Sequence, residues 1–375
     1  MKYYFIAGEA SGDLHAGNCM REIITLDTAA QFAFTGGDLM ESLSGKKADI
    51  HMSQMAFMGF VDVLKNLRAI KKNFKIVKEA ILKFKPDVLV LVDYPGFNLR
   101  MAKWATKKGL KVDYYISPTV WAWNEGRVEE IKKYTNKLFV ILPFEEAFYQ
   151  KHHHKVYFVG HPLIDAIAKL KPNFRTKDVF LKENGLGEKP LIAVLPGSRV
   201  QEIERMLDIM LAVAADFADH QFVVAGSTSL PKSHYASLNK QGIKVIYNQT
   251  YELMNYAQAG IIKSGTSTLE SALFKLPQVV CYKTGALSFA IGKQLVKIKY
   301  ISLVNLIMDK HIVKELIQNE FTSKNIALEL NKLLKDQSYR NTMIEEYNEL
   351  IKHLGGTGAS SRIAQHLVAD ASGKK

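Results

Sequence analysis

At 375 residues with 47% hydrophobic side chains, the chain has room for two α/β domains, each with a full core. Lysine and arginine exceed aspartate and glutamate by 13 and the pI is about 9.4, so the expected partner is anionic: nucleic acid, a phosphorylated substrate or an acidic membrane surface. The only cysteines, Cys19 and Cys281, exclude a disulfide framework or a cysteine-rich zinc site and fit a reducing cytoplasm, and no apolar run reaches the length of a membrane span.

The chain enters directly into a short apolar strand at residues 3–7, without the longer apolar segment and small-residue cleavage site of a signal peptide. Gly8-Glu9-Ala10-Ser11-Gly12-Asp13 follows, then a helical run to Leu26. Gly8 and Gly12 let backbone approach a ligand, and Ser11 or Asp13 suits a helix cap. Glu9 and Asp13 serve either as proton acceptors or as plain loop and cap residues. The loop is not GxGxxG, which weakens a dinucleotide reading.

Residues 60–84 set Phe60, Val63, Leu67, Ile70, Phe74, Val77, Ile81 and Phe84 close to one helical seam, with Arg68 and, counting Lys85 just beyond, seven lysines bunched along its flank. That pattern fits a helix lying on anionic lipid, or a core-packing helix with a solvated basic side. Val88–Val92 (VLVLV) is a buried strand, and ligand sites in open α/β sheets lie beyond the carboxyl ends of strands, which places Asp93 well for chemistry. The next strand, 112–116, runs into Ser117-Pro118-Thr119-Val120-Trp121-Ala122-Trp123. Tryptophans at a strand end line a sugar or acyl pocket, or fill a core. Strands at 138–142 and 156–159 continue the alternation, with His161 in the loop after the second. The run His152-His153-His154 reads as solvated surface, with nothing near it to complete a metal set.

Residues 169–190 carry little periodicity and read as the domain linker. Strands at Leu191–Leu195, 222–225, 244–246, 260–262 and 278–281 then alternate with helical stretches, the pattern of a parallel sheet built from βαβ crossovers. Residues 191–204 organise this half. LIAVL is a buried strand, Pro196-Gly197-Ser198 turns sharply, and the first N–H groups of the following helix favour negative charge in the turn. Arg199 adds a forked cation that grips two phosphate oxygens at once, so the turn reads as a diphosphate clamp. A second turn, Ser264-Gly265-Thr266-Ser267-Thr268-Leu269-Glu270, offers hydroxyls and N–H groups to a phosphate, with Glu270 as an acceptor for ribose hydroxyls. Residues 283–299 hold four lysines and no acid among apolar residues, a second candidate membrane surface.

The motifs GEASGDLHAGN, VDYPGFN, SPTVWAWNEGR, LPFE, VGHPLID, LPGSRVQEI, SGTSTLE and SLVNLI followed by KELIQ together resemble the lipid-A-disaccharide synthase family of glycosyltransferases, from residue 1 to about 318. The resemblance implies an α/β fold of the GT-B type, two Rossmann-like domains with parallel sheets facing across a cleft. It implies an acceptor- and lipid-side domain at 1–168, a UDP-sugar domain at 169–345, and helices at 346–375 that cross back to the first domain. The implied reaction joins UDP-2,3-diacylglucosamine to 2,3-diacylglucosamine 1-phosphate, inverting the anomeric carbon and releasing UDP, with no metal or other cofactor. It implies a cytoplasmic location, peripheral on the anionic inner-membrane surface. On the donor side it implies Gly197, Ser198, Arg199, Ser264, Gly265, Thr266, Thr268, Glu270 and Asn305; on the acceptor side, Gly8, Ser11, Asn98, Trp121 and Trp123.

One position departs from the family. The usual pattern is Asp-x-Pro-Asp-Phe-Asn, and this chain has Asp93-Tyr94-Pro95-Gly96-Phe97-Asn98. The second aspartate is the family's proposed catalytic residue, and Gly96 cannot take a proton. Asp93, Asp87, Glu9 and Asp13 remain as bases for the acceptor's 6-hydroxyl; Asp93, at the end of a buried strand, is the favoured one. Arg199 sits at the family's arginine and is expected to stabilise the departing diphosphate. A nucleic-acid-binding protein would carry a dedicated binding module or aromatics along a basic groove, and no such motif occurs. The nearer alternatives are other GT-B enzymes, a UDP-GlcNAc 2-epimerase or a peptidoglycan glycosyltransferase, which differ in product.

Overall fold

Apolar runs such as VLVLV and LIAVL leave no side chain suited to water, so they need helices on both faces. In the computed structural model every residue of both runs is buried, in strands β3 and β7 below. The structure describes residues 1–375 except 56–65, 236–237, 239–241, 296–297 and 374–375; the side chains of 287, 288, 291, 293 and 295 also lie outside the described residues. The chain forms two compact units, Met1–Lys169 with Leu354–Lys375, and Leu170–His353.

The first unit carries β1 (Lys2–Ala7), β2 (Gln31–Thr35), β3 (Val88–Val92), β4 (Val112–Tyr115), β5 (Lys137–Val140) and β6 (Tyr157–Phe158). All pair in parallel, in the order β2-β1-β3-β4-β5-β6. Its helices are α1 (Ala10–Leu26), α2 (Asp38–Ser44), α3 (Leu67–Phe84), α4 (Pro95–Lys107), α5 (Val120–Trp123), α6 (Val128–Tyr134), α7 (Pro143–Lys151) and α8 (Pro162–Leu170). The second unit continues with α9 (Lys177–Glu183), β7 (Leu191–Leu195), α10 (Val200–Leu211), β8 (Gln221–Gly226), β9 (Lys244–Tyr247), α11 (Thr250–Tyr256), β10 (Ala259–Lys263), α12 (Thr266–Leu273), β11 (Gln278–Tyr282), α13 (Ala286–Leu295), α14 (Leu303–Met308), β12 (Lys314–Ile317), α15 (Ser323–Lys335) and α16 (Gln337–His353). Its strands are also all parallel, in the order β12-β11-β10-β7-β8-β9. Helix α17 (Ala359–Ala371) belongs to the first unit.

Strand alternation gives the first sheet two cores. On one face of the first sheet, Tyr4, Ile6, Leu89 and Leu91 meet Val77 and Ile81 of α3; on the other, Tyr3, Phe5, Val88 and Val90 meet Cys19 and Met20 of α1 and Ile363 and Leu367 of α17. The seam expected at 60–84 packs on the sheet at Phe74, Val77, Ile81 and Phe84, with Lys71, Lys72, Lys75 and Lys83 exposed, while Leu67 is exposed and 60–65 lie outside the described residues. Residues 169–190, read as a linker, carry α9, whose Phe180 is buried in the second unit's core.

Candidate functional site

In a doubly wound sheet the crevice opens beyond the carboxyl ends of the strands, where their order reverses. In the second unit that point lies between β7 and β10, and a cavity of about 440 Å³ sits there. It is lined by Gly197, Ser198, Arg199 and Glu202 after β7, Ser227 after β8, Asn248 and Thr250 after β9, and Lys263 to Ser267 from β10 into α12. Gly197 takes φ 107°, which few other residues adopt, and a Cβ there would collide with Glu202 Oε2. Glu202 Oε2 accepts the N–H groups of Ser198 (3.1 Å) and Arg199 (3.3 Å), and Oε1 pairs with Lys263 Nζ at 2.8 Å. Burial works against the ionised Glu202, yet Lys263 and the Ser198 N–H hold its carboxyl below the usual range. The Arg199 side chain is 68% exposed, its Nη1 4.0 Å from Glu202 Oε1. A neighbouring cavity of about 560 Å³ shares Asn248, Thr250 and Ser267 and adds Tyr251 and Glu270. There Glu270 Oε1 accepts the Tyr251 hydroxyl at 2.7 Å, and burial raises the Glu270 carboxyl.

In the first unit the order reverses between β1 and β3, so Gly8-Glu9 and Asp93-Tyr94 flank the switch. Asp93 and Tyr94 take φ 45° and 49°, and Ile116, beyond the end of neighbouring β4, takes 65°. Such left-handed conformations cost non-glycine residues on the order of 1–3 kcal/mol each and cluster at functional sites. The turn is held by its own carbonyl: Asp93 O accepts Asn98 Nδ2 at 2.7 Å and the Tyr114 hydroxyl at 2.6 Å. Burial pushes the Asp93 carboxyl up to about 6, the nearby Glu9 carboxylate adds to this, and the Tyr94 N–H opposes it. A Cβ at Gly8 would strike the Tyr94 ring, so glycine there admits the ring over the end of β1.

The sequence model of the lipid-A-disaccharide synthetase family matches residues 3–368. A lipid-A-disaccharide synthase of Coxiella burnetii (strain Dugway 5J108-111) is 35% identical over 364 residues, 96% of each chain. One of Trichlorobacter lovleyi is 37% identical over 367 residues, 96% of this chain and 94% of the other. The chain belongs to the lipid-A-disaccharide synthetase family. As a member it is a glycosyltransferase of lipid A biosynthesis. Its two parallel six-stranded sheets are those of the GT-B fold. A UDP-GlcNAc 2-epimerase from Neisseria meningitidis, solved bound to UDP-GlcNAc, shares that fold at TM-score 0.69 and 16% identity, over 98% of this chain and 100% of the other.

Several residues that the family resemblance or the local sequence suggested are used elsewhere. Asp13 is buried and accepts the N–H groups of Gly37 (2.8 Å), Leu39 (3.0 Å) and Met40 (3.3 Å), so it fastens the start of α2. It does not cap α1, whose N-cap is Glu9, and Ser11 is exposed without capping it either. Asp87 precedes β3, at the end of the sheet opposite Asp93, and accepts the Lys2 N–H at 2.7 Å. Asn98 is fully buried, and its amide donates to strand-end carbonyls, so it pins the Asp93 turn. Thr268 is fully buried, its hydroxyl donating to Gly265 O at 2.8 Å. Asn305 is consumed within its own unit: Nδ2 donates to Val313 O and Glu315 Oε1, and Oδ1 accepts the N–H groups of Ile312 and Val313. Ser264 lines the cavity, but its hydroxyl donates to Ile301 O at 2.7 Å. Trp121 Nε1 donates to Glu145 Oε1 at 3.2 Å, while Trp123 is half-exposed with the Arg127 guanidinium 5.0 Å from its ring centre. Glu145 is buried, accepts the Ile141 and Leu142 N–H groups, and is pushed up to about 7 by that burial.

Lys263, Asn248 and Thr250 are cavity residues that the motifs missed, and Glu202 lies inside the LPGSRVQEI motif without having been singled out. Lys263 carried a readable signal, since it follows the apolar run 260–262 directly and precedes a glycine turn.

Proposed function

We propose that the chain transfers the sugar of UDP-2,3-diacylglucosamine to the 6-hydroxyl of 2,3-diacylglucosamine 1-phosphate with inversion. The observation that carries this reading is the cationic turn of Gly197, Ser198, Arg199 and Lys263 at the switch point of the second sheet, in a chain of this family. The turn and α12 hold the donor's diphosphate, and Glu270 and its neighbours take the nucleoside. Asp93 accepts the 6-hydroxyl proton as that oxygen bonds to the anomeric carbon; the bond from that carbon to the diphosphate oxygen breaks, and UDP leaves with the electron pair. Arg199 and the turn's N–H groups stabilise the negative charge gathering on the leaving diphosphate. The groove of about 620 Å³ lined by Lys71, Phe74, Lys75, Lys78, Glu79, Leu82, Arg100 and Trp104 sets four cations against one acid, which supports docking of the first unit on anionic lipid.

The test is UDP release with both acylated sugars, with the mass and anomeric configuration of the product determined. A disaccharide of inverted configuration is expected; an epimerised sugar, or UDP release that ignores the acceptor, overturns the reading. Docking is checked with phosphatidylglycerol vesicles, where rising salt should weaken binding by screening the lysines.

A further inference from the structure

We propose that Glu202 is a resident anion in the diphosphate seat, and that nucleotide binding displaces it so that Lys263 and the Ser198 and Arg199 N–H groups pass to the diphosphate. The inference rests on the donor reading above and adds to it both Lys263 as a donor ligand and Glu202 as the group that regulates occupancy.

The seat is already filled by a carboxylate. Glu202 Oε2 accepts the Ser198 and Arg199 N–H groups and occupies the space that a Cβ on Gly197 would need, while Oε1 holds the Lys263 ammonium at 2.8 Å. Those two N–H groups and that cation are what an anion entering the turn would use. Glu202 and a diphosphate cannot share them, since two anions on one set of donors repel.

The arrangement also has a reason to persist between turnovers. Lys263 is only 21% exposed and Glu202 only 16%, and a largely desolvated cation left without a partner is costly. Glu202 keeps the Lys263 side chain paired at the cavity wall while the site is empty. When UDP leaves, the carboxylate takes back the same donors, so departure does not strand the ammonium. An interaction that stabilises only the empty state weakens binding by that free energy, and where the carboxylate re-engages as the nucleotide departs, part of it appears as faster release. If Glu202 only capped α10, it would have no preference between the empty and occupied states.

The test is UDP binding by calorimetry to the full chain, with release followed by stopped flow, for wild type and for Glu202→Gln, Lys263→Met and Lys263→Arg. Glu202→Gln keeps the size and loses the charge, so UDP should bind roughly fivefold or more tightly and leave more slowly. Lys263→Met should weaken UDP roughly tenfold or more, and Lys263→Arg should restore most of the loss. Uridine, which lacks the diphosphate, should bind all four proteins alike, and inorganic pyrophosphate should follow the order seen with UDP. Each variant is checked by circular dichroism; if Glu202→Gln does not fold, Glu202→Asp, whose shorter arm withdraws from the turn, should tighten UDP in its place. Folded Glu202 variants with unchanged or weaker UDP binding overturn the exchange, as does a Lys263→Met that binds UDP like wild type. A wild-type chain that binds neither UDP nor pyrophosphate removes the donor reading itself.

Discussion

Asp93 combines a strained backbone with a carboxyl that burial lifts to about 6, the range in which a carboxylate is both ionised at neutral pH and a useful proton acceptor. Asp93→Asn should leave UDP binding intact and lower turnover by roughly two to four orders of magnitude. Since the base must be ionised, kcat/KM in the wild type should rise with pH through about 6 and level off above it. A flat profile, or an inactive but folded Glu9→Gln beside an active Asp93→Asn, moves the base to the loop after β1. Gly96→Asp should be tolerated: Gly96 is in the first turn of α4, no described atom lies within 4 Å of a Cβ built there, and an acid there gains roughly 0.3–1 kcal/mol from the helix dipole. Loss of folding or activity in that variant would mean the glycine is required. Arg199→Ala should slow turnover roughly a hundredfold or more through the leaving group. Near-normal turnover there would take Arg199 out of the mechanism.

Among the elements, α17 shows how much a short helix can carry. Its Ile363, Ala364 and Leu367 are fully buried against α1 and the first sheet. Leu367→Ala should cost the first unit roughly 2–5 kcal/mol while the second keeps its own core, so thermal unfolding should split into two transitions with UDP binding surviving the first. One transition with an unchanged midpoint would contradict this. The same scale explains what could be read in advance. The inner strands were legible because burial on both faces demands unbroken apolar runs; of the partly buried edge strands, β6 and β9 were read from their Val, Ile and aromatic residues, whereas β2 (QFAFT) and β12 (KELI) were absent from the reading. The glycine turns after β1 and β7 were legible because the local chain alone dictates them. The internal partners of Asp13, Thr268 and Asn305 could not be read in advance: those of Asp13 lie more than 20 residues away, and Asn305 bonds both backbone and the Glu315 side chain. Such pairings are invisible until the chain has folded.

At the scale of the whole molecule, buried histidines set a limit in acid. His15 and His161 are buried near each other, and burial lowers them from about 6.5 to about 4 and about 3, with Asp165 partly offsetting this at His15. Below pH 6.5 the unfolded chain takes up protons at both rings while the folded chain does not, so stability should fall as the pH drops from about 6.5 toward 3. The His15→Gln/His161→Gln double variant should show a smaller fall in unfolding midpoint over that window, and an identical fall would place the acid sensitivity elsewhere. The interleaving of the chain also fixes an order of events at the ribosome. The second unit is one continuous segment, Leu170–His353, and can close its core as soon as it has emerged. The first unit cannot, because the face of its sheet that α1 only partly covers waits for α17. At 5–20 residues per second that wait lasts on the order of ten seconds or more, with Ile23, Phe5 and their neighbours incompletely shielded. A nascent chain stalled before residue 359 should therefore be held by chaperones through its first 169 residues, although those residues were made first.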